Sequence, residues 1–383
     1  MSETQRKRIS FIVDFVESRR QEILDNLRAA VEIPSPSESK EGTNQAGRFF
    51  AGLARELDAR TTFLDGGDYG DHVLIESKKM PPPTVLFYGH MDTVFPVGTE
   101  WPFSMDGKRA YGPGVIDMKS GIITLLYALK ALHATGGIPV GYKVLLNSDE
   151  ELGSPNSRRL IPDLAKEADF AMIMEPGEPD GRLIHKRKGI GKFDIRVAGR
   201  EAHAGKSPET GINAILELAH QVIAAERLAR KPKGTTMNTG VVEGGRSAFI
   251  VPGSAHAVVE SRVWTPEERK RIEEGMQALP EKIHVPGAAV SVQGGFHRPP
   301  LVRLPGAEKM ESALRQAARE LNLKVSFGGS GAASDGNNIT ALGIPVMDGL
   351  GPAGGREHSH DEYMEIESLF ERIKLLACCL LYL

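Results

Sequence analysis

The chain has 383 residues, 40% of them apolar and 25% charged, close to the averages of globular proteins. Since domains are typically ~150 residues and single cores stop growing near ~250–300, this length points to two or three domains and excludes a mini-protein, while the composition excludes a disordered chain or a coiled coil. Forty-seven Lys and Arg against fifty Asp and Glu leave a formal charge of −3, too balanced for the field that phosphate-backbone binding needs, so nucleic acid is not an expected partner.

In chain order, MSETQRKR carries charge without an apolar stretch or cleavage site behind it, and no later run approaches the ~20 apolar residues of a spanning helix. The expected location is the cytoplasm, with no membrane partner. Residues 10–33 and 43–59 place apolar side chains at three-to-four spacing and predict two amphipathic helices, separated by the PSPSESKEG loop. After Pro81–Pro83, TVLFYGH is a short apolar run of the kind buried on both faces of a sheet, and YKVLLN and DFAMIM repeat it. SGIITLLYALKALHATGG between the first two reads as a helix ending in a glycine cap. Strand, helix, strand, strand predicts an α/β fold with a mostly parallel sheet.

From residue 192 the grammar changes. GKFDIRVAGR alternates, a helix follows, TTMNTGVVEGG and HAVVESRVW read as paired half-exposed strands, and PEERKRIEEGMQAL and AAVSVQGGF add a helix and a strand. This β-α-β-β-α-β order predicts a ferredoxin-like domain at 192–296, inserted into a catalytic domain built from 1–191 and 297–383. Helix AEKMESALRQAARELN, strands KVSFGG and IPVMDGL and a last helix EIESLFERIKLLACCLLYL then resume the α/β pattern. The two cysteines, Cys378 and Cys379, are adjacent in that helix and read as buried thiols, not as a disulfide framework.

The chemistry-bearing residues gather at strand ends. TVLFYGH ends in His90 with Asp92 two residues on, YKVLLNSDEE ends in Glu150 and Glu151, and DFAMIMEP ends in Glu175. Open α/β sheets bind ligands at the carboxyl ends of their strands, so these side chains converge on one rim. Asp117, after GPGVI, is expected to open the following helix, where its carboxylate suits the dipole or a metal. Imidazole and carboxylate without thiolate suit zinc or another first-row divalent ion, and EHSHDEY offers His358 and His360 to complete the set. Two ions ~3.5–4 Å apart would activate a shared water and polarise a carbonyl, and a carboxylate that is not a ligand must take the proton. Adjacent Glu150 and Glu151 suit that division, one toward metal and one toward water. GPGVID and GGSGAASDG lack the Lys-Ser/Thr of a phosphate-binding loop. His72, His133, His220, His256 and His284 show no acidic partner in pattern and read as surface or core residues.

GHMDTVFP, YGPGVIDMKSG, NSDEELGS, MEPG, REAHAGKSPETGINAI, SDGNN and HSHDEY together resemble the di-zinc metallopeptidases of the glutamate carboxypeptidase, aminoacylase and acetylornithine deacetylase type. The resemblance runs from Phe87 to Tyr363. It implies two zinc ions, with cobalt or manganese as substitutes, held by His90, Glu175, Glu151, His358 and a bridging Asp117. It further implies Glu150 as general base, Asp92 as the carboxylate that orients His90, and His203 as an oxyanion donor across a homodimer interface formed by residues 192–296. Arg298, in FHRPP, resembles the arginine that binds a substrate carboxylate. His358 fits the family pattern better than His360, which is an extra histidine within it. Phe249, and Ala332 and Ala333, depart from the family's asparagine and glycines. The implied activity is cleavage of an amide bond in short peptides or N-acyl amino acids that carry a free carboxylate. Alternatives are an acetyl or succinyl diamino-acid deacylase and a catalytically silent metal- or peptide-binding relative.

Overall fold

A computed structural model describes residues 3–99 and 101–383, which divide into two compact units. The first comprises Met1–His185, Arg303–Ser330 and Ser334–Leu383, and the second Lys186–Val302 with Gly331–Ala333. The second unit thus begins and ends outside 192–296. Beyond those limits Arg187 and Leu301 exchange backbone hydrogen bonds of 3.1 Å.

The apolar runs after the triple proline build the centre of the first unit. Its sheet has six strands in the order Ala59–Leu64, His72–Ser77, Gly141–Asn147, Thr84–His90, Phe170–Ile173, Val346–Met347. The last three junctions are parallel, and every residue of Thr84–His90 is buried, as a strand covered on both faces requires. Helix Ser120–Ala134 is apolar nearly all round because it lies inside the unit, with Ile122, Leu125, Leu126 and Leu129 fully buried. The C-terminal helix Ile366–Cys379 joins the same core, and burial pushes the Cys378 thiol up to about 12. Both thiols are free and fully buried.

Two expectations of local structure change. The first predicted helix is two, Glu3–Ser18 and Arg20–Val31, with the chain leaving helical geometry at Arg19, whose guanidinium lies 4.0 Å over the Phe15 ring. The second, Lys40–Leu53, stops early, because Ala59 starts a strand paired antiparallel with His72–Ser77. The β-branched Thr61, Thr62, Val73 and Ile75 were the available signal for that hairpin. Among the described residues no helix is long and apolar enough to cross a membrane.

The second unit is an antiparallel four-stranded sheet in the order Thr236–Gly244, Ser254–Val263, Gly189–Ala198, Ala289–Arg298. With helices Ala214–Glu226 and Pro266–Gln277 this is the ferredoxin-like arrangement, and Phe193, Ile195, Leu218, Val259 and Ile272 form its core. Thr265 caps the second helix, and the buried Glu268 three residues on accepts from Thr235 at 2.6 Å and Arg271 at 2.7 Å. The Arg271 hydrogen bond, aided by Thr235 and opposed by burial, draws the Glu268 carboxyl down to about 2. A carboxyl with a depressed folded pKa stabilises the fold above its unfolded value of ~4.3 and loses that contribution as pH falls toward the folded value. Acid unfolding of this unit between about pH 5 and pH 2 should therefore flatten in Glu268→Gln, which circular dichroism across that range would show.

Candidate metal centre

Three adjacent parallel strands bring the acidic turns together. His90 ends the middle strand, level with Asn147 at the end of one neighbour, while the other neighbour pairs with Val85–Tyr88. Past Asn147 a short 3-10 turn carries Glu150 and Glu151, and two residues past Ile173 comes Glu175. His90 therefore lies between the two, at the carboxyl edge of the sheet.

Asp117 arrives differently from expectation. The regular helix begins only at Ser120, and Asp117 sits upstream in a kinked turn with φ −112° and ψ 91°, its peptide to Met118 cis. A carboxylate replaces the helix dipole as the organiser of this turn. Glu362 is fully buried and accepts the backbone N–H groups of Gly114 (3.3 Å), Ile116 (2.9 Å) and Asp117 (3.2 Å). Gly114 has φ +72°, and a Cβ there would lie 2.6 Å from Thr93 Cγ2, so only glycine allows the turn to approach the His90 strand end. His358 also has a left-handed backbone, φ +62°, in a loop tied by Ser359 Oγ to the Arg356 carbonyl at 2.7 Å.

The side chains form two groups that share Asp117: His90, Asp117 and Glu175, and Asp117, Glu151 and His358. His90 Nε2 lies 3.0 Å from Asp117 Oδ1 and 3.9 Å from Glu175 Oε1. His358 Nε2 lies 3.3 Å from both Asp117 Oδ2 and Glu151 Oε2. A tetrahedral ion with ~2.0–2.1 Å bonds separates its nitrogen and oxygen ligands by ~3.3 Å, so each group has the spacing and the hard donors for one divalent cation. The two carboxylate oxygens of Asp117 face opposite groups, as a bridge requires. Glu150 belongs to neither group, although it is buried beside Glu151.

Protons and cations compete for these atoms. Hydrogen bonds to Asp117 and Glu151 push His358 up to about 11. Burial alone would raise the Asp117 carboxyl, but His358 and His90 hold it well below the usual range. Burial pushes Glu151 up to about 7 against the His358 hydrogen bond.

Asp92 is fully buried, and both its backbone carbonyl and its carboxylate approach the His90 ring. His90 Nδ1 is 3.0 Å from the Asp92 backbone carbonyl and 3.4 Å from the carboxylate. The carboxylate also accepts the backbone N–H of Glu150 (3.2 Å) and Glu151 (3.1 Å) and the Ser37 hydroxyl (2.6 Å). It thus fixes the turn that aims the two glutamates. Asp149 accepts from Asn156 N at 2.6 Å, and Asp335 of the SDGNN segment accepts from Ser154 and Asn147 within 3.0 Å, anchoring the rest of that turn. Sequence reasoning missed Glu362 and Ser37. The acidic position within HSHDEY was the signal for Glu362, whereas nothing in sequence marks Ser37.

His360 joins neither group and packs by Trp101, ring centroids 5.4 Å apart. In the second unit, His203 is exposed on the short strand Ala202–His203, and its Nδ1 accepts from the backbone N–H of Gly205 (3.1 Å) and Lys206 (3.0 Å). With Nδ1 accepting, Nε2 is the ring nitrogen left to donate. Helix Ala214–Glu226 is capped by Asn213, not by His203. Arg298, only 5% exposed, ends the last strand just past an irregularity at His297. Phe249 is 78% exposed, and its carbonyl accepts from Ala204 N at 3.0 Å.

A family model described as Peptidase family M20/M25/M40 matches residues 86–382. Carboxypeptidase G2 of Pseudomonas sp. (strain RS-16) is 28% identical over 382 residues, covering 97% of this chain and 91% of its own length. Acetylornithine deacetylase of Myxococcus xanthus is 28% identical over 309 residues, 76% of this chain and 77% of its own. Among solved structures, aminopeptidase PepT from Bacillus cereus superposes with a TM-score of 0.81 at 21% identity, covering 94% of this chain and 98% of that one, a likeness of fold.

Proposed function

On the premise that the chain belongs to peptidase family M20/M25/M40 and is therefore a metal-dependent hydrolase, we propose that it is a two-zinc exopeptidase or aminoacylase cleaving short peptides or N-acyl amino acids with a free carboxylate. The observation that carries this reading is the pair of three-residue groups sharing Asp117, with Glu150 beside them and outside both. His90, Asp117 and Glu175 would hold one ion and Asp117, Glu151 and His358 the other, and cobalt or manganese could replace zinc at such donors. When bound, the ions lower the pKa of a water and polarise the amide carbonyl.

The chain's own residues supply the rest. Glu150 takes a proton from the attacking water and delivers it to the leaving amine nitrogen. Asp92, through the backbone N–H groups of Glu150 and Glu151, keeps that carboxylate from drifting. His203 offers its Nε2 proton to the developing oxyanion, and Arg298 pairs with the carboxylate of the substrate. A panel of dipeptides, N-acyl amino acids and acetyl or succinyl diamino acids, assayed before and after chelation, tests the reading. Activity should vanish with the metal and return on adding zinc. Arg298→Ala should lose about 10- to 100-fold in kcat/KM on substrates with a free carboxylate, and much less on their amides. A metal-replete protein that cleaves none of the panel would favour the silent relative. Preference for diamino-acid amides would favour the deacylase.

The role of His203 depends on a homodimer through the second unit. Helix Ala214–Glu226 exposes Ile215, Leu216 and Ile223, and strand Thr236–Gly244 lies at a sheet edge with Val242 60% exposed. An open edge and an apolar helix face on one unit suit two-fold pairing. Ile223→Glu with Val242→Glu should yield a monomer by sedimentation and cost activity together with association. A fully active monomer would exclude the cross-subunit role.

A further inference from the structure

Outside the metal centre, the first unit has a cavity of about 1120 Å³ bounded by helices Ala307–Glu320 and Ile366–Cys379 and by Asp180–Gly181. Its lining includes Arg315, Arg319, Lys324 and Arg372, against only two carboxylates, Asp180 and Glu371. Asp180 is engaged with Arg182 at 3.5 Å. Three of the four cations have other contacts. Arg315 lies 4.7 Å over the Phe327 ring, Arg319 donates to Gln316 Oε1 at 2.5 Å, and Arg372 Nη2 donates to the Gly181 carbonyl at 2.6 Å. Among the described residues no ion pair forms with any of them, whereas Arg303 of the same unit holds Glu311 at 2.7 Å.

Arg372 is the informative member, since it is only 7% exposed and faces this space. With Nη2 on the Gly181 carbonyl, the guanidinium is held in place at the cavity wall, where an anion could pair with it. Burial draws it down to about 10 despite Glu371. We propose that this cavity is a second, non-catalytic site that binds a small organic polyanion, a phosphate ester or a polycarboxylate, through Arg372, Arg315, Arg319 and Lys324. Pockets for such ligands run to ~300–1,000 Å³, so the space suits more than a single inorganic ion. Planar guanidinium groups pair with phosphate and carboxylate alike, which is why both chemistries fit. The site backs onto the turn that follows Glu175: a Cβ on Gly177 would lie 2.7 Å from Arg372 Nη2.

Calorimetric titration of the metal-replete protein with pyrophosphate and with citrate, at low salt, tests this. One saturable site per chain is expected, with the tighter probe identifying the ligand class. Arg315→Ala combined with Lys324→Ala, at exposed positions, should weaken binding at least tenfold while hydrolysis without anion stays within twofold of the parent. Arg372→Met should abolish binding if it folds. Absence of saturable binding for both probes would overturn the site. So would binding left unchanged by the Arg315 and Lys324 substitutions, because the anion would then be bound elsewhere, at the metal centre in the first instance.

Discussion

Replacing Glu150 by Gln is expected to lower turnover by roughly 10²–10⁴-fold while the metal content stays that of the parent, because general-base catalysis is worth about that much and Gln cannot accept the proton. Two features make the expectation sharp. The Glu150 side chain belongs to neither group of convergent ligands. Its backbone N–H is held by Asp92 at 3.2 Å, and Gln matches Glu in size, so the backbone that carries the side chain is kept. Turnover measured alongside metal analysis decides it. Activity within tenfold of the parent at full metal occupancy would remove Glu150 from the role of base.

Asp117→Ala is expected to empty both metal sites at once and cost on the order of 10³-fold or more in activity, since water activation and carbonyl polarisation would be lost together. The expectation follows from the two oxygens of Asp117, one 3.0 Å from His90 and the other 3.3 Å from His358. Glu175→Ala and His358→Ala, each confined to one group, should instead leave about one tightly held ion per chain. Metal stoichiometry after exhaustive dialysis separates the two patterns. Loss of a single ion from Asp117→Ala would mean that its carboxylate does not bridge.

Much of the centre was legible from strand ends. An apolar run followed by His90, Glu150 with Glu151, or Glu175 needs only the rule that parallel sheets offer ligands at their carboxyl edges, and the sheet order puts those three strands side by side. Asp117 was legible as a participant, but its conformation was not. Its turn is shaped by Glu362, about 245 residues away in the chain, and by a glycine that must accept positive φ. Glu362 is itself pushed up to about 8 by burial, opposed by the N–H groups it binds. Asp92 shows the same limit. Its spacing from His90 suggests service to that ring, and the carboxylate does lie 3.4 Å from Nδ1, but nothing in the spacing shows that it also holds the N–H groups of both glutamates.

What the sequence determined by itself was the class of fold, the strand ends and the chemical types of the donors, because periodicity and residue type act over a few neighbours. Tertiary structure decided which donors meet. His358 and not His360 reaches Asp117, since the loop's left-handed backbone turns one imidazole toward the acids while the other packs by Trp101. It also decided what lies behind the centre, where a buried Arg372 and three surface cations from separate segments surround one cavity. Such convergence of residues far apart in the chain has no local pattern to betray it.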